Sequence, residues 1–224
     1  MKISKFTFLI MGILLVSSCK NADNSSSSNQ NKEGEEQVEA PKESVQEKKA
    51  SCTYVVDEDK TKVIWTAYKT TDKVPVRGTF DNIIYKTSAD TFSRMEDAMR
   101  NTTFLISPES VNSGNKIRDP KLVKFFFKNL GMINGKFAAV QENGTGLVQL
   151  LWAGLNLTQP YSYHTEGDTL WITTKIDFRQ WKLEKAAAAL NKACKVLHTG
   201  KDGKSKLWPE VDVNTKVVFK KYCN

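Results

Sequence analysis

Between Thr169 and Phe178 the side chains alternate in a way that fixes the kind of element: Leu170, Ile172, Ile176 and Phe178 fall on one face, Trp171, Thr173, Lys175 and Asp177 on the other. Successive side chains of a strand point to opposite sides of a sheet, so this period predicts a strand with one buried and one solvated face. The same signal recurs through most of the chain. Tyr54 to Asp57 is short and ends in the charged run Asp57-Glu58-Asp59-Lys60, which reads as a turn; Lys62 to Lys69 puts Val63, Trp65 and Ala67 on one side; Val74 to Tyr85 carries Val76, Gly78, Phe80 and Ile83 in a curved strand. Thr102 to Ile106, Met132 to Val140, Gly146 to Leu157 and Tyr161 to His164 also read as strands, with turns at Glu142-Asn143-Gly144 and Glu166-Gly167-Asp168. Val211, Val213, Val217 and Phe219 alternate with polar neighbours in a last one. Ser93 to Arg100 reads equally as a short helix or an edge loop. Many short antiparallel strands with few helices restrict the chain to a sandwich or a barrel.

The stretch from Ile106 to Leu130 breaks this rhythm. Ser107-Pro108 ends a strand, Asn112-Ser113-Gly114-Asn115 is loop chemistry, and Asp119-Pro120 predicts a helix start, a capping acceptor followed by a ring already set to helical φ. Leu122, Val123, Phe125, Phe126 and Phe127 are too apolar for a short solvated helix, so it is expected to lie against a large apolar surface. The order Ser110, Val111, Ser113, Arg118, Asp119, Leu122, Phe126, Phe127 after a strand resembles the YceI-like family, lipid-binding β-barrels of the bacterial envelope. Two further segments are similar to that family: KVIWTAYKTTDKVPVRGTFDNI, with Gly78-Thr79-Phe80, to its opening hairpin, and PEVDVNTKVVFKK to its closing strand. The segment LLWAGLNLTQPYSY keeps only Leu155, Leu157, Thr158 and Pro160 of the family's pattern there, and Lys182 to Leu197 is an insertion. That insertion has Leu183, Ala187, Leu190, Cys194 and Leu197 at helical spacing and stops near Gly200, which predicts an amphipathic helix that either covers the barrel or acts as a lid.

The resemblance implies an all-β, lipocalin-like, up-and-down antiparallel barrel of about eight strands, wide enough inside for one small ligand. It carries one inserted amphipathic helix and a short helix after the fourth or fifth strand, and it spans residues 52–224. The inward members of the alternating strands are then the candidate lining: Trp65, Ala67, Phe80, Phe104, Ile106, Ile172, Ile176 and Phe178, with Phe125 and Phe126 at one end. If the first and last strands pair to close the barrel, Cys52 and Cys223 come together as a disulfide; Cys194 with Cys223 is the competing pair.

Ahead of the domain, residues 1–18 have Lys2 and Lys5, the apolar run Phe6 to Val16 and small residues, the pattern of a signal peptide. Leu15-Val16-Ser17-Ser18-Cys19 resembles a lipoprotein cleavage site, with Cys19 as the lipidated residue. Residues 19–51 are Ser-, Asn-, Glu-, Lys- and Gln-rich and are expected to be a disordered tether. The expected location is the bacterial cell envelope, lipid-anchored to a membrane, the outer membrane's periplasmic or surface face.

The chain carries a net charge of +8, but its lysines form no tight cluster with interleaved aromatics, which argues against nucleic acid. The two histidines, His164 and His198, have no metal-ligand spacing, and no nucleophile elbow, phosphate loop or dinucleotide fingerprint is present. An enzyme, a metal and a cofactor are therefore not expected. The function implied by the resemblance is binding of a hydrophobic or amphiphilic small molecule, an isoprenoid-like or quinone-like lipid, for transport, storage or sequestration, by a monomer or homodimer. The alternative is a cell-surface interaction module with a packed core, using its basic face or exposed aromatics such as Trp171 and Tyr163.

Overall fold

A computed structural model describes residues 51–224. The expected signal peptide, Cys19 and the tether up to residue 50 lie outside the described residues. Ten strands follow in order: β1 (Cys52–Lys69), β2 (Val74–Phe80), β3 (Ile83–Lys86), β4 (Thr103–Ile106), β5 (Val111–Asn112), β6 (Ile133–Val140), β7 (Thr145–Trp152), β8 (Leu155–Glu166), β9 (Thr169–Asp177) and β10 (Leu207–Cys223). They form one antiparallel sheet in the order β3-β4-β6-β7-β8-β9-β10-β1-β2-β5.

The sheet is strongly curled, and the chain itself shows how. β2 and β3 lie near opposite ends of the strand order yet are separated in sequence only by Asp81 and Asn82. That corner is held by Ser110, whose carbonyl accepts from the Asp81 N–H at 3.0 Å and whose Oγ accepts from the Asn82 N–H at 2.9 Å. The strand count exceeds the expected eight or so for two reasons: the Val74-to-Tyr85 segment splits at this corner, and the two-residue β5 adds itself to β2 through Thr79–Asn112 and Phe80–Val111.

β7 shows why one face is inside. Gly146, Val148, Leu150 and Trp152 are buried, while Thr145, Leu147, Gln149 and Leu151 point outward. Between β7 and β8 the turn falls on Ala153 and Gly154, both with positive φ (49° and 78°), so the expected Gly146-to-Leu157 strand is two strands joined by a tight hairpin. At the start of the domain the expected turn at Asp57 to Lys60 is a bulge within one long strand, β1, whose pairing with β10 slips between Asp57 and Lys62. Asp57 is 4% exposed there, with Lys60 Nζ at 3.3 Å and the Thr61 hydroxyl donating to its carbonyl at 2.9 Å.

Helices close the ends of the curl. Met95–Met99 is a 3-10 turn, α1 (Asp119–Lys121) runs on as a π-helical turn through Leu122–Phe127, and α2 (Glu184–Ala193) is followed by α3 (Lys195–His198). Asp119 is not the cap that its sequence position predicts. Its carboxylate accepts from the Ser113 N–H at 3.0 Å, and it is Asn115 that receives the first turn, its Oδ1 accepting from the Ile117 and Arg118 N–H groups at 3.0 Å each. The predicted helix of residues 182–197 is present, with Leu183, Ala187, Leu190 and Cys194 buried and Leu197 exposed.

Cys52 and Cys223 stand opposite each other in the β1–β10 register and are joined by a disulfide; Cys194 is buried and unbonded, which overturns the Cys194–Cys223 pairing. The core residues, from Tyr54 to Phe219, and both bonded cysteines lie within this one segment, so it carries its own core.

Candidate functional site

The first β1 residue paired with β2 is Ile64, opposite Thr79. The preceding part of β1 is therefore hydrogen-bonded along β10 and leaves a gap on its other side, across which stand Ile83, Tyr85 and Thr87. A cavity of about 570 Å³ lies inside the curl behind this gap. Its charged lining residues, Glu58, Asp59, Lys62 and Asp81, belong to the bulge and the β2–β3 corner, so they form its mouth. Its walls are apolar: Val148 and Leu150 from β7, Leu170, Ile172 and Ile176 from β9, Val213 and Val217 from β10. A volume of this size and an apolar lining with few polar groups are typical of small-molecule sites.

One end of the cavity is closed by a layer of aromatic rings. Phe80 meets Phe127 at 6.0 Å between centroids, Phe127 meets Phe126 at 5.0 Å, Phe126 meets Phe178 at 5.7 Å, and Trp152 sits 6.4 Å from Phe126 and 6.1 Å from Trp181. The apolar run after Asp119-Pro120 thus lies against the interior of the sheet, the large apolar surface its composition requires.

Of the residues expected to line a site, Phe80, Phe104, Ile106, Ile172 and Ile176 do line this cavity. Phe126 and Phe178 belong to the aromatic layer and do not reach it as lining. Phe125 is half-buried, with Lys124 Nζ 5.4 Å from its ring centroid, and is not among the lining residues. Trp65 and Ala67 face a second cavity of about 350 Å³, shared with Leu122, Leu190, Cys194 and Leu207. Their alternation with Val63 is as expected, but the helical turn Leu122–Phe127 and α2 occupy that end of the interior, so only Val63 reaches the first cavity. The lining residues missed from sequence divide in two. Val213 and Val217 had the period-2 signal, whereas Trp181 follows β9 in a turn, its backbone N–H donating to the Phe178 carbonyl at 3.2 Å, where no period exists.

Titratable groups in the cavity wall are few. Burial, with the Glu58 carboxylate adding to it, pushes the Tyr85 phenol up to about 12. Burial likewise pushes Tyr161 up to about 12, and its hydroxyl donates to the Ala139 carbonyl at 2.8 Å. Both phenols are therefore neutral well beyond physiological pH. The native state keeps protons that the unfolded chain loses above pH 10, so this contribution to stability is full below pH 10 and is lost as pH rises toward 12. A spectrophotometric phenolate titration should show at least two of the six tyrosines ionising late, together with alkaline unfolding; six phenols titrating together near pH 10 in folded protein would contradict it. His198 lines the second cavity, where burial lowers its pKa and Nδ1 lies 2.8 Å from Asn191 Oδ1. Neither histidine lines the larger cavity, and among the described residues no group of three His, Cys, Asp or Glu side chains is placed to hold a metal ion.

No family model and no curated protein matches the chain. Among solved structures, a polyisoprenoid binding domain from Saccharophagus degradans implicated in plant cell wall breakdown matches 75% of this chain and 97% of its own, at 13% identity and a TM-score of 0.52. BcnA of Burkholderia cenocepacia covers 73% of this chain and 98% of its own at 17% identity, with a TM-score of 0.47. The curled ten-stranded sheet with its few short helices is a YceI-like fold.

Proposed function

We propose that this protein binds a hydrophobic or amphiphilic lipid, isoprenoid-like or quinone-like, inside the curled sheet, for transport, storage or sequestration. The observation that carries the reading is the apolar cavity of about 570 Å³ behind a charged mouth. A module whose role is to present its surface has no use for unfilled interior space, since protein cores pack to the density of organic crystals. The Saccharophagus domain of like fold is described as polyisoprenoid binding, which supports the same ligand class here. Binding would come from burial, each ligand methylene removed from water contributing about 0.8 kcal/mol before ordering costs.

In this reading the curl acts as a lipocalin-like barrel, and Cys19, lipidated, anchors the protein to a bacterial envelope membrane as a monomer or homodimer. A bound lipid would then be handled close to the bilayer that supplies or receives it.

The test uses the segment Ser51–Asn224, exported to an oxidising compartment, purified without detergent and weighed by native mass spectrometry before and after organic extraction. A reproducible adduct removed by extraction is expected. Ile176→Asp, which puts a carboxylate into the apolar wall, should weaken rebinding at least about tenfold in protein with an unchanged circular dichroism spectrum. A clean mass that persists after incubation with isoprenoids would sink the proposal.

A further inference from the structure

The two cavities carry charge of opposite sign. The larger has three carboxylates at its mouth, Glu58, Asp59 and Asp81, against one lysine, Lys62. The second is lined by Lys69, Arg118 and Lys121 and by no aspartate or glutamate. These three cations are half-buried, and among the described residues none of them forms an ion pair. A long basic side chain lies readily along apolar surface, but a partly desolvated charge without a counter-ion is a cost that an incoming anion removes. His198 adds no further charge at neutral pH, since burial and the Lys69 ammonium both lower its pKa.

The second cavity is graded from an apolar floor to an open rim. Trp65, Leu190 and Cys194 are 7%, 6% and 7% exposed, whereas Ile117 and Leu197, which also line it, are 74% and 59% exposed. An apolar chain entering past the cations covers both of these solvated aliphatic side chains. The volume of about 350 Å³ is at the small end of ligand sites, which favours one chain over two.

We propose that this second cavity is a binding site in its own right and takes a single-chain anionic amphiphile, a long-chain carboxylate. The chain lies on Trp65, Leu122, Leu190 and Leu207, and the headgroup sits at the rim among Lys69, Arg118 and Lys121. The planar guanidinium of Arg118 suits a carboxylate, which it can meet with two parallel hydrogen bonds. The acidic mouth of the larger cavity disfavours the same ligand there, so the two sites sort amphiphiles by charge. This site does not depend on the larger cavity holding a lipid.

The test titrates laurate, dodecanol and dodecyltrimethylammonium into Ser51–Asn224 by calorimetry, each below the concentration at which it self-associates. Laurate is expected to bind about tenfold or more tighter than either, and to weaken with added salt. Arg118→Gln/Lys121→Gln should weaken laurate binding about tenfold with an unchanged circular dichroism spectrum, whereas Ile176→Asp, in the wall of the larger cavity, should leave it in place. In the wild-type protein the two histidines report location: the ring resonances of His198 should shift with laurate, while those of His164, which lines neither cavity, should stay. Equal affinity for laurate and dodecanol, laurate binding lost in Ile176→Asp but kept in the double-glutamine variant, or unmoved His198 resonances would each overturn the proposal. So would a lack of laurate binding, and an isoprenoid adduct in the same preparation would then show that the reading of the larger cavity stands while this one falls.

Discussion

Cys52→Ser/Cys223→Ser is expected to lower the stability of the domain by about 2–5 kcal/mol and its melting temperature by about 5–20 °C. The bridge joins residues 171 apart in sequence, nearly the whole domain, so in the chain-entropy account it removes about as much freedom from the unfolded chain as one crosslink can. Its structural position decides what remains without it. β10 is held on both sides from Glu210 to Val218, by β1 and β9, whereas Lys220 to Cys223 and the first residues of β1 pair with each other, and β1 there has on its other side only the isolated Tyr54–Phe92 bridge. Fraying should therefore start at the paired ends Cys52 and Cys223 and travel toward the bulge at Asp57, loosening one wall of the mouth before the rest unfolds. Hydrogen exchange should show faster amide exchange at Tyr54 to Val56 in the serine variant, with β7 and β8 unchanged. Cys194→Ser, at a buried thiol with no bond, serves as the contrast and should shift the melting temperature far less. A double-serine variant that melts with the wild type under oxidising conditions would show that β1 is held by its ladder alone.

What could be read from sequence divides along a physical line. Strands with one buried face announce themselves, and β7, β9 and β10 do so because Val148, Leu150, Ile172, Val213 and Val217 recur at every second position. The pairing of Cys52 with Cys223 followed from the first strand meeting the last, and the register confirms it. β1 was legible in halves only. Asp57 to Lys60 has the composition of a turn, yet it sits in a strand: Asp57 is buried against Lys60 and the Thr61 hydroxyl, and Glu58 to Lys60 are solvated where the stretch borders the mouth. The turn at Ala153-Gly154 was invisible for a local reason: an alanine at positive φ is not a residue that marks a hairpin. For the site, period gives the face of a strand but never the depth along it. Trp65 and Ala67 were rightly placed on the inner face, and only the packing of Leu122–Phe127 and α2 decides that they border a different cavity from Ile172 and Ile176. Trp152 shares the period of β7 and its inward face was legible, whereas Trp181 follows β9 in a turn, where no period exists to reveal it.

Trp181→Ala should destabilise the domain by about 3–5 kcal/mol, a large part of the 5–15 kcal/mol that ordinary domains possess. The side chain is 1% exposed and packs on Trp152, which in turn touches Phe126 and Phe127, so its removal leaves a hole behind the ring layer that closes the inner end of the cavity. Relaxation into the hole is limited from two sides. Leu183, its neighbour in the chain just ahead of α2, is buried, and Trp152 is fixed at the end of β7 by pairing with Leu155. Trp181→Phe separates the two roles of the residue. It keeps a ring in the layer and removes the indole N–H, which is buried with no hydrogen-bond partner among the described residues, so part of the lost packing is offset by a desolvation penalty that is no longer incurred, and its loss should be clearly smaller than that of the alanine variant. Urea unfolding at equal slope measures both. If the two variants lose the same small amount, under about 1 kcal/mol, the ring layer is not what holds that end of the sheet together. If alanine alone unfolds the domain, the layer is a structural floor for that end of the sheet, and a ring at this position is what the floor requires.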